Sequence, residues 1–298
     1  MPSHITVVPA STKAGRETIR VLLASDSKPV VRGIYRDPSK APVDFINSSN
    51  FDAIKGDVGS GSDLDFNGSD AVFYIPPPIY DGTDQGEWAT QTATNVKKAL
   101  QEANVKRLLI LSAIGSQNDH GIGVLRINYI SDTILKEAAP EVLIVRPSYF
   151  QEDFTSLLED AKKDPPVVQS WITPIDHTIP MVSLKDIGKH CASSLLSKST
   201  KPSPHYTKLF GPRFYGALDL KKAVEEVTGK EVELKLVEND QLANFFAELL
   251  PEAYVQEFVD MTTGGLPGGI IAKNFVYDDD TIKGQVELVD TLRESYTK

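Results

Sequence analysis

Short apolar runs bounded by turn residues recur along the first half of this chain, with segments of helical spacing between them. The runs Ile5–Val8, Val30–Tyr35, Phe51–Lys55, Ala71–Ile75, Arg107–Ser112 and Val142–Arg146 read as strands, being short, rich in β-branched residues and flanked by Gly, Pro, Asn or Asp. Between them, Gly15–Ala24 and Thr90–Ala103 place apolar residues three to four apart, and Ala93, Val96, Leu100 and Ala103 fall on one helical face. This alternation predicts an α/β chain whose parallel sheet is covered by helices on both faces.

After Arg146-Pro147 the rhythm changes. Pro and Gly become more frequent, strands are expected around Ile172–Pro174 and Glu231–Val237, and helices over Asp186–Ser197, Asp219–Thr228, Asp240–Leu250 and Ala253–Thr262. The expected organisation is a doubly wound, Rossmann-type domain over residues 1–150. A smaller C-terminal α/β substrate lobe over residues 151–298 is interleaved with it rather than independent. The glycine-rich stretch from Thr263 to Gly269 reads as a mobile loop or lid, since no strand precedes it.

The first strand runs into the turn Pro9-Ala10-Ser11-Thr12-Lys13-Ala14-Gly15, where such folds place a glycine-rich phosphate loop. Pro9, Thr12 and Gly15 occupy the three glycine positions, so only the third glycine remains. Backbone N–H groups, the Ser11 and Thr12 hydroxyls and Lys13 still offer an anion site at a helix N-terminus. Pro9 removes one donor, and Thr12 puts a side chain where backbone would otherwise approach a pyrophosphate. The cradle is therefore expected to be altered. Arg36, just past the second strand, stands where many NAD enzymes carry an acidic ribose-binding residue. A cation there, with Lys40 on the same loop, favours the 2′-phosphate of NADP. Asp57 has two open readings, an adenine-edge contact or a turn cap. Pro76 and Pro77, with Pro78, form a stiff wall that shapes a cleft without donating to phosphate.

Composition narrows the partners. A formal net charge of −10 argues against broad nucleic-acid binding, which needs clustered Lys and Arg. Cys191 is the only cysteine, so there is no intrachain disulfide and no Cys-rich metal site, and its helical setting reads as a small buried hydrophobe. No metal site is expected. No run of about 20 apolar residues occurs, so no membrane partner is expected and the default location is cytoplasmic.

Five blocks together resemble the NmrA-like branch of the atypical short-chain dehydrogenase/reductase superfamily, a fungal-type group that includes isoflavone-reductase-like proteins and ergot-alkaloid imine reductases. They are the strand-turn-helix Ile5–Arg16, the segment Val31-Arg32-Gly33-Ile34-Tyr35-Arg36-Asp37-Pro38-Ser39-Lys40, the segment from Lys55-Gly56-Asp57-Val58 to Phe73, the segment from Asn95-Val96-Lys97-Lys98-Ala99 to Ala113, and Val145-Arg146-Pro147-Ser148-Tyr149-Phe150-Gln151-Glu152-Asp153-Phe154. The resemblance implies NADP(H) as cofactor and a small, largely apolar organic substrate of secondary-metabolite type. Reductases of the superfamily use a Tyr-x-x-x-Lys pair on one helical face for proton transfer. Here Tyr129 is followed four positions later by Thr133, and the lysine that relatives carry on this helix falls near Asn128, with Arg126 two positions earlier.

Candidate catalytic groups are then Ser112 at the end of the fifth strand, His120 in the following loop, and Asn128 and Tyr129 on the next helix. His120 beside Asp119 has the alternative reading of a solvated loop residue. Tyr149, Phe150, Gln151 and Asp153 are the candidate substrate contacts, with helix capping as the plainer reading of Asp153. Asp176-His177 reads as a turn. Without the Tyr/Lys pair, reduction of C=N or C=C is favoured over carbonyl reduction, because a cationic iminium needs only hydride. Two alternatives stay open: a redox-neutral isomerase that keeps NADP structurally, and a non-catalytic NAD(P)-sensing regulator with a protein partner.

Overall fold

The computed structural model describes residues 3–198 and 202–297. Two compact units divide the chain. The first comprises residues up to Ser116, Arg126–Arg146 and Ile187–Thr207; the second comprises Gln117–Leu125, Pro147–Asp186 and residues from Lys208 on.

In the first part of the chain the elements are β1 (His4–Val8), α1 (Lys13–Leu23), β2 (Val30–Tyr35), α2 (Val43–Ile46), β3 (Phe51–Lys55), β4 (Ala71–Tyr74), α3 (Gln85–Glu102), β5 (Arg107–Leu111), α4 (Arg126–Leu135) and β6 (Glu141–Pro147). There follow β7 (Tyr149–Phe150), α5 (Leu157–Asp160), β8 (Val167–Ser170), β9 (Thr178–Val182), α6 (Leu184–Leu196), β10 (His205–Phe210), β11 (Phe214–Gly216), α7 (Ala217–Thr228), β12 (Glu233–Leu236), α8 (Leu242–Ala247), α9 (Glu252–Gly265), β13 (Thr281–Lys283) and α10 (Leu288–Tyr296). The main sheet has eight strands in the order β13-β10-β6-β5-β4-β1-β2-β3, and β1 pairs in parallel with both β2 and β4. The strand order therefore reverses at β1, which is where open α/β sheets bind ligands, beyond the C-terminal strand ends.

All six early strands and both early helices form where the apolar pattern places them. The register follows from burial: Val72, Tyr74, Leu108, Ile110, Val142 and Ile144 face Ala93, Val96 and Leu100 of α3 in one apolar layer. Fully burying a side chain of this size contributes roughly 1.5–3 kcal/mol. Helix α3 starts five residues earlier than its apolar spacing suggests, because Asp84 caps it and accepts from Gly86 N (2.8 Å) and Glu87 N (2.9 Å).

The second unit departs more from expectation. Ile172–Pro174 is not a strand; Ser170 Oγ accepts from Ile172 N at 3.2 Å and turns the chain, while Ile172 still fills the unit's core. The strands flank it instead: β8 pairs with β12, and β9 lies between β7 and β11. The helix expected over Asp240–Leu250 is a single 3-10 turn at Asn239–Gln241 followed by α8. Nor is Thr263–Gly269 wholly a loop, since α9 runs through Gly264 and Gly265, both buried against neighbouring residues. Among the described residues no helix is long and apolar enough to cross a membrane.

Candidate functional site

At the end of β1 the chain turns at Pro9–Thr12 and enters α1. Thr12 is the helix N-cap: its Oγ1 accepts from Gly15 N at 3.0 Å and donates to the Pro9 carbonyl at 3.1 Å. Its side chain is folded back onto the chain, spent on the turn and on the start of the helix. Gly15 keeps the role of the third glycine, because a Cβ there would lie 2.7 Å from Thr12 Oγ1, 3.1 Å from the Pro9 carbonyl and 3.2 Å from Ile75 Cδ1. Ser11 and Lys13 are exposed beside the helix N-terminus. The turn thus retains a dinucleotide fit in its third glycine, its helix end and two polar side chains, while lacking the Pro9 donor.

Past β2, Arg36 and Lys40 are both exposed on one loop, and Arg36 makes no ion pair among the described residues. Asp37 between them is occupied, accepting from Ser39 N (3.1 Å) and Ser39 Oγ (2.6 Å), bonds that hold its carboxyl below the usual range. Tyr35, which precedes Arg36, has a buried hydroxyl without a hydrogen-bond partner, and burial pushes its pKa up to about 12. Asp57 caps its own turn: its carboxylate accepts from Gly59 N (2.9 Å) and Ser60 Oγ (3.1 Å). Helix α3 holds this loop through Asn95, which donates to the Val58 and Gly59 carbonyls, both at 2.9 Å. It also anchors the proline wall, with Trp88 Nε1 donating to the Pro77 carbonyl at 2.9 Å and Pro76 buried.

On α4, Tyr129 and Asn128 are half-buried, and neither side chain makes a hydrogen bond among the described residues. Thr133, where a lysine would stand, donates to the Tyr129 carbonyl at 2.8 Å. Arg126 is engaged elsewhere, with Nη2 2.9 Å from Asp84 Oδ2. A groove of about 620 Å³ along α3 and α4, lined by Thr90, Gln91, Thr94, Asn95, Arg126 and Ile130 among others, contains none of the candidate site residues.

Ser112 is drawn into a buried polar cluster that the sequence reading missed. Its Oγ lies 2.7 Å from Asp132 Oδ2 and 2.8 Å from Ser116 Oγ, and Ser116 Oγ lies 3.0 Å from the same carboxylate oxygen. Arg146 donates from Nε to Ser116 Oγ at 3.1 Å, reaches Asp132 Oδ2 only at 3.5 Å, and stacks on Tyr206 with 4.5 Å to the ring centre. Asp132 Oδ1 is buried and unpartnered. Burial outweighs the serines and Arg146 and pushes the Asp132 carboxyl up to about 6. The available signal was an aspartate three residues before Leu135 on a helix whose other buried positions are mostly apolar.

The remaining candidate residues lie in the second unit. His120 is exposed and pairs with the adjacent Asp119, the solvated reading of that residue. Gln151 is fully buried and spent inside the fold, donating to the Val286 carbonyl at 2.9 Å and accepting from Thr291. Asp153 is exposed within a 3-10 turn whose cap position is Phe150, so it is neither a buried carboxylate nor the cap. Phe150 pairs with Val182 in the three-stranded sheet. Tyr149 packs against Trp171 and Phe275, and its buried hydroxyl has no partner. His177 follows the expected turn and meets the Gly265 carbonyl at 3.1 Å.

The parallel sheet, its reversal at β1 and the strand-turn-helix at Gly15 define a Rossmann-like α/β protein. The sequence signature described as NAD(P)H-binding matches residues 10–180, more than half of the chain, and the protein belongs to that family. Its fold is similar to that of triphenylmethane reductase from Citrobacter complexed with NADP(H), with 17% identity, 98% of this chain and 100% of the other covered, and a TM-score of 0.78. It is also similar to the NADPH-dependent quinone oxidoreductase of Escherichia coli complexed with NADPH (16% identity, 99% and 98% covered, TM-score 0.75). A nucleoside-diphosphate-sugar epimerase from Staphylococcus aureus is a further structural relative (16% identity, 98% and 99% covered, TM-score 0.76). At these identities the likeness concerns the fold. Compared with curated protein sequences, the chain matches none.

Proposed function

We propose that this protein is an NADP(H)-dependent reductase of NmrA-like type, acting on C=N or C=C in a small, largely apolar organic substrate. The observation that carries the reading is the Arg36–Lys40 loop. Two exposed cations, Arg36 and Lys40, follow the second strand on one loop, and Ser39 occupies one oxygen, Oδ1, of the intervening acid Asp37. A guanidinium in that position pairs with a 2′-phosphate. The Citrobacter and Escherichia coli relatives, both seen with the phosphorylated cofactor, support the same choice.

Bound NADPH would supply hydride. This chain's residues do the rest: Ser11, Lys13 and the start of α1 hold the diphosphate, Gly15 lets the helix approach, and Pro76 and Pro77 wall the cleft. Because Thr133 stands where a lysine would assist Tyr129 in proton transfer, the pair that serves carbonyl reduction is missing.

The test follows NADPH absorbance and product together against a panel of cyclic iminium, enone and quinone acceptors. Stoichiometric NADPH consumption supports the reductase. Product formed without NADPH loss replaces it with a redox-neutral isomerase, and nucleotide binding with no turnover of any acceptor replaces it with a sensor.

A further inference from the structure

The Ser112–Ser116–Asp132 cluster presents a counting problem. Three oxygens, Ser112 Oγ, Ser116 Oγ and Asp132 Oδ2, lie mutually within 2.7–3.0 Å. Three such contacts need three protons, and the two hydroxyls carry only two. If Asp132 is ionised, one contact is a bare oxygen–oxygen repulsion and Oδ1 holds charge with no donor near it. A proton on Asp132 completes the ring. The charged group facing it is Arg146 on β6, which spends its Nε on Ser116. The other titratable groups nearby are phenols: Tyr74 on β4, whose hydroxyl donates to Thr92, and Tyr206, stacked on Arg146.

We propose that Asp132 and Ser112 form a proton relay, in which the Asp132 carboxylic acid stores the proton that a reduced substrate requires and the Ser112 hydroxyl delivers it. This rests on the reductase reading above. Ser112 directly follows β5, whose C-terminal end belongs to the ligand-binding edge of the sheet. After hydride from a dihydronicotinamide reaches the substrate, the substrate atom left with the electron pair takes the Ser112 proton. Ser112 Oγ then takes the proton of Asp132, leaving a carboxylate beside Arg146, which solvent reprotonates before the next turnover. The relay replaces the missing Tyr/Lys pair. It supplies the proton that the C=C acceptors of the proposed class need, and adds quinone acceptors, which likewise need a proton as well as hydride.

The test does not need the substrate. An oxidised nicotinamide carries a positive ring and a reduced one does not, so a carboxylic acid coupled to that ring loses its proton on binding NADP+ only. Calorimetric titrations of NADP+ and NADPH at about pH 6, in two buffers of different ionisation enthalpy, count the protons released. We expect release with NADP+ alone, lost in Asp132→Asn while both affinities persist. Equal release from the variant overturns the relay and leaves the reductase reading standing; failure of both nucleotides to bind overturns both. Should Asp132→Asn not fold, the infrared carbonyl band of a protonated carboxylic acid in the wild-type protein decides. A band that vanishes on adding NADP+ supports the relay, and a band unmoved by NADP+ contradicts it.

Discussion

The Arg36–Lys40 loop and the Asp132 cluster sit in the same unit, yet one keeps its charges in water and the other keeps its charge out of it. Arg36 costs the fold nothing, having neither a partner nor burial, so its value is reserved for whatever anion arrives. Asp132 is held by three side-chain contacts and still lacks a partner for one oxygen, so the fold itself bears the expense of the site. On the proposed reading, affinity and cofactor choice belong to the exposed loop, and proton chemistry to the buried cluster. Substitutions in the two regions should therefore separate cleanly, stability moving with one and nucleotide preference with the other.

The largest stability effect is expected from Arg146→Ala. Removing the cation beside Asp132, along with its stacking on Tyr206, should cost on the order of 3 kcal/mol near neutral pH. The loss should shrink below about pH 6, where Asp132 is protonated; denaturant melts at two pH values check it. Arg36→Asp should leave the melt unchanged and lower NADPH affinity by roughly 10–100-fold, with NADH affinity unaffected. Should NADPH and NADH weaken together, the loop does not read the 2′-phosphate.

Asp132→Asn sharpens the contrast through the sign of its pH dependence. The folded carboxyl sits near 6, above an unfolded value of about 3.9. Its contribution is therefore fully present below pH ~4, falls as pH rises toward 6, and is constant above. Wild type minus variant should drop by about 3 kcal/mol over that interval, a trend opposite to ordinary acid denaturation. Thr12→Ala should cost about 1 kcal/mol for the lost cap and leave nucleotide affinity nearly unchanged, because Oγ1 is already spent on Gly15. Smallest of all, Tyr129→Phe should move stability by less than about 0.5 kcal/mol. It should also reduce NADPH-dependent turnover less than Ser112→Ala does.

The order of legibility along the chain has a physical cause. Strands buried on both faces, such as Val72–Tyr74 and Leu108–Leu111, write themselves as continuous apolar runs, and Arg36, Lys40 and Gly15 follow once those strands are placed. The second unit is built from two- to five-residue strands whose pairing is decided by tertiary packing. Ile172 is as apolar as any strand residue, and only the Ser170 turn and Pro174 keep it out of a ladder. Gln151 and Asp153 show the same limit, because a polar residue after a strand reads alike whether it faces a ligand, a helix or water. The Asp132 cluster escaped notice because its members come from the segment after β5, from α4 and from β6, and only the folded sheet brings them together.

The central claim is that a phosphate turn with a single glycine still serves a phosphorylated dinucleotide. Calorimetric titration of the wild-type protein with NADPH, NADP+, NADH and NAD+ tests it most directly. Binding at micromolar concentration or tighter for the first two, with clearly weaker binding of the others, is the predicted result. No binding of any of the four would show that Pro9 and Thr12 have closed the site, and would contradict the account.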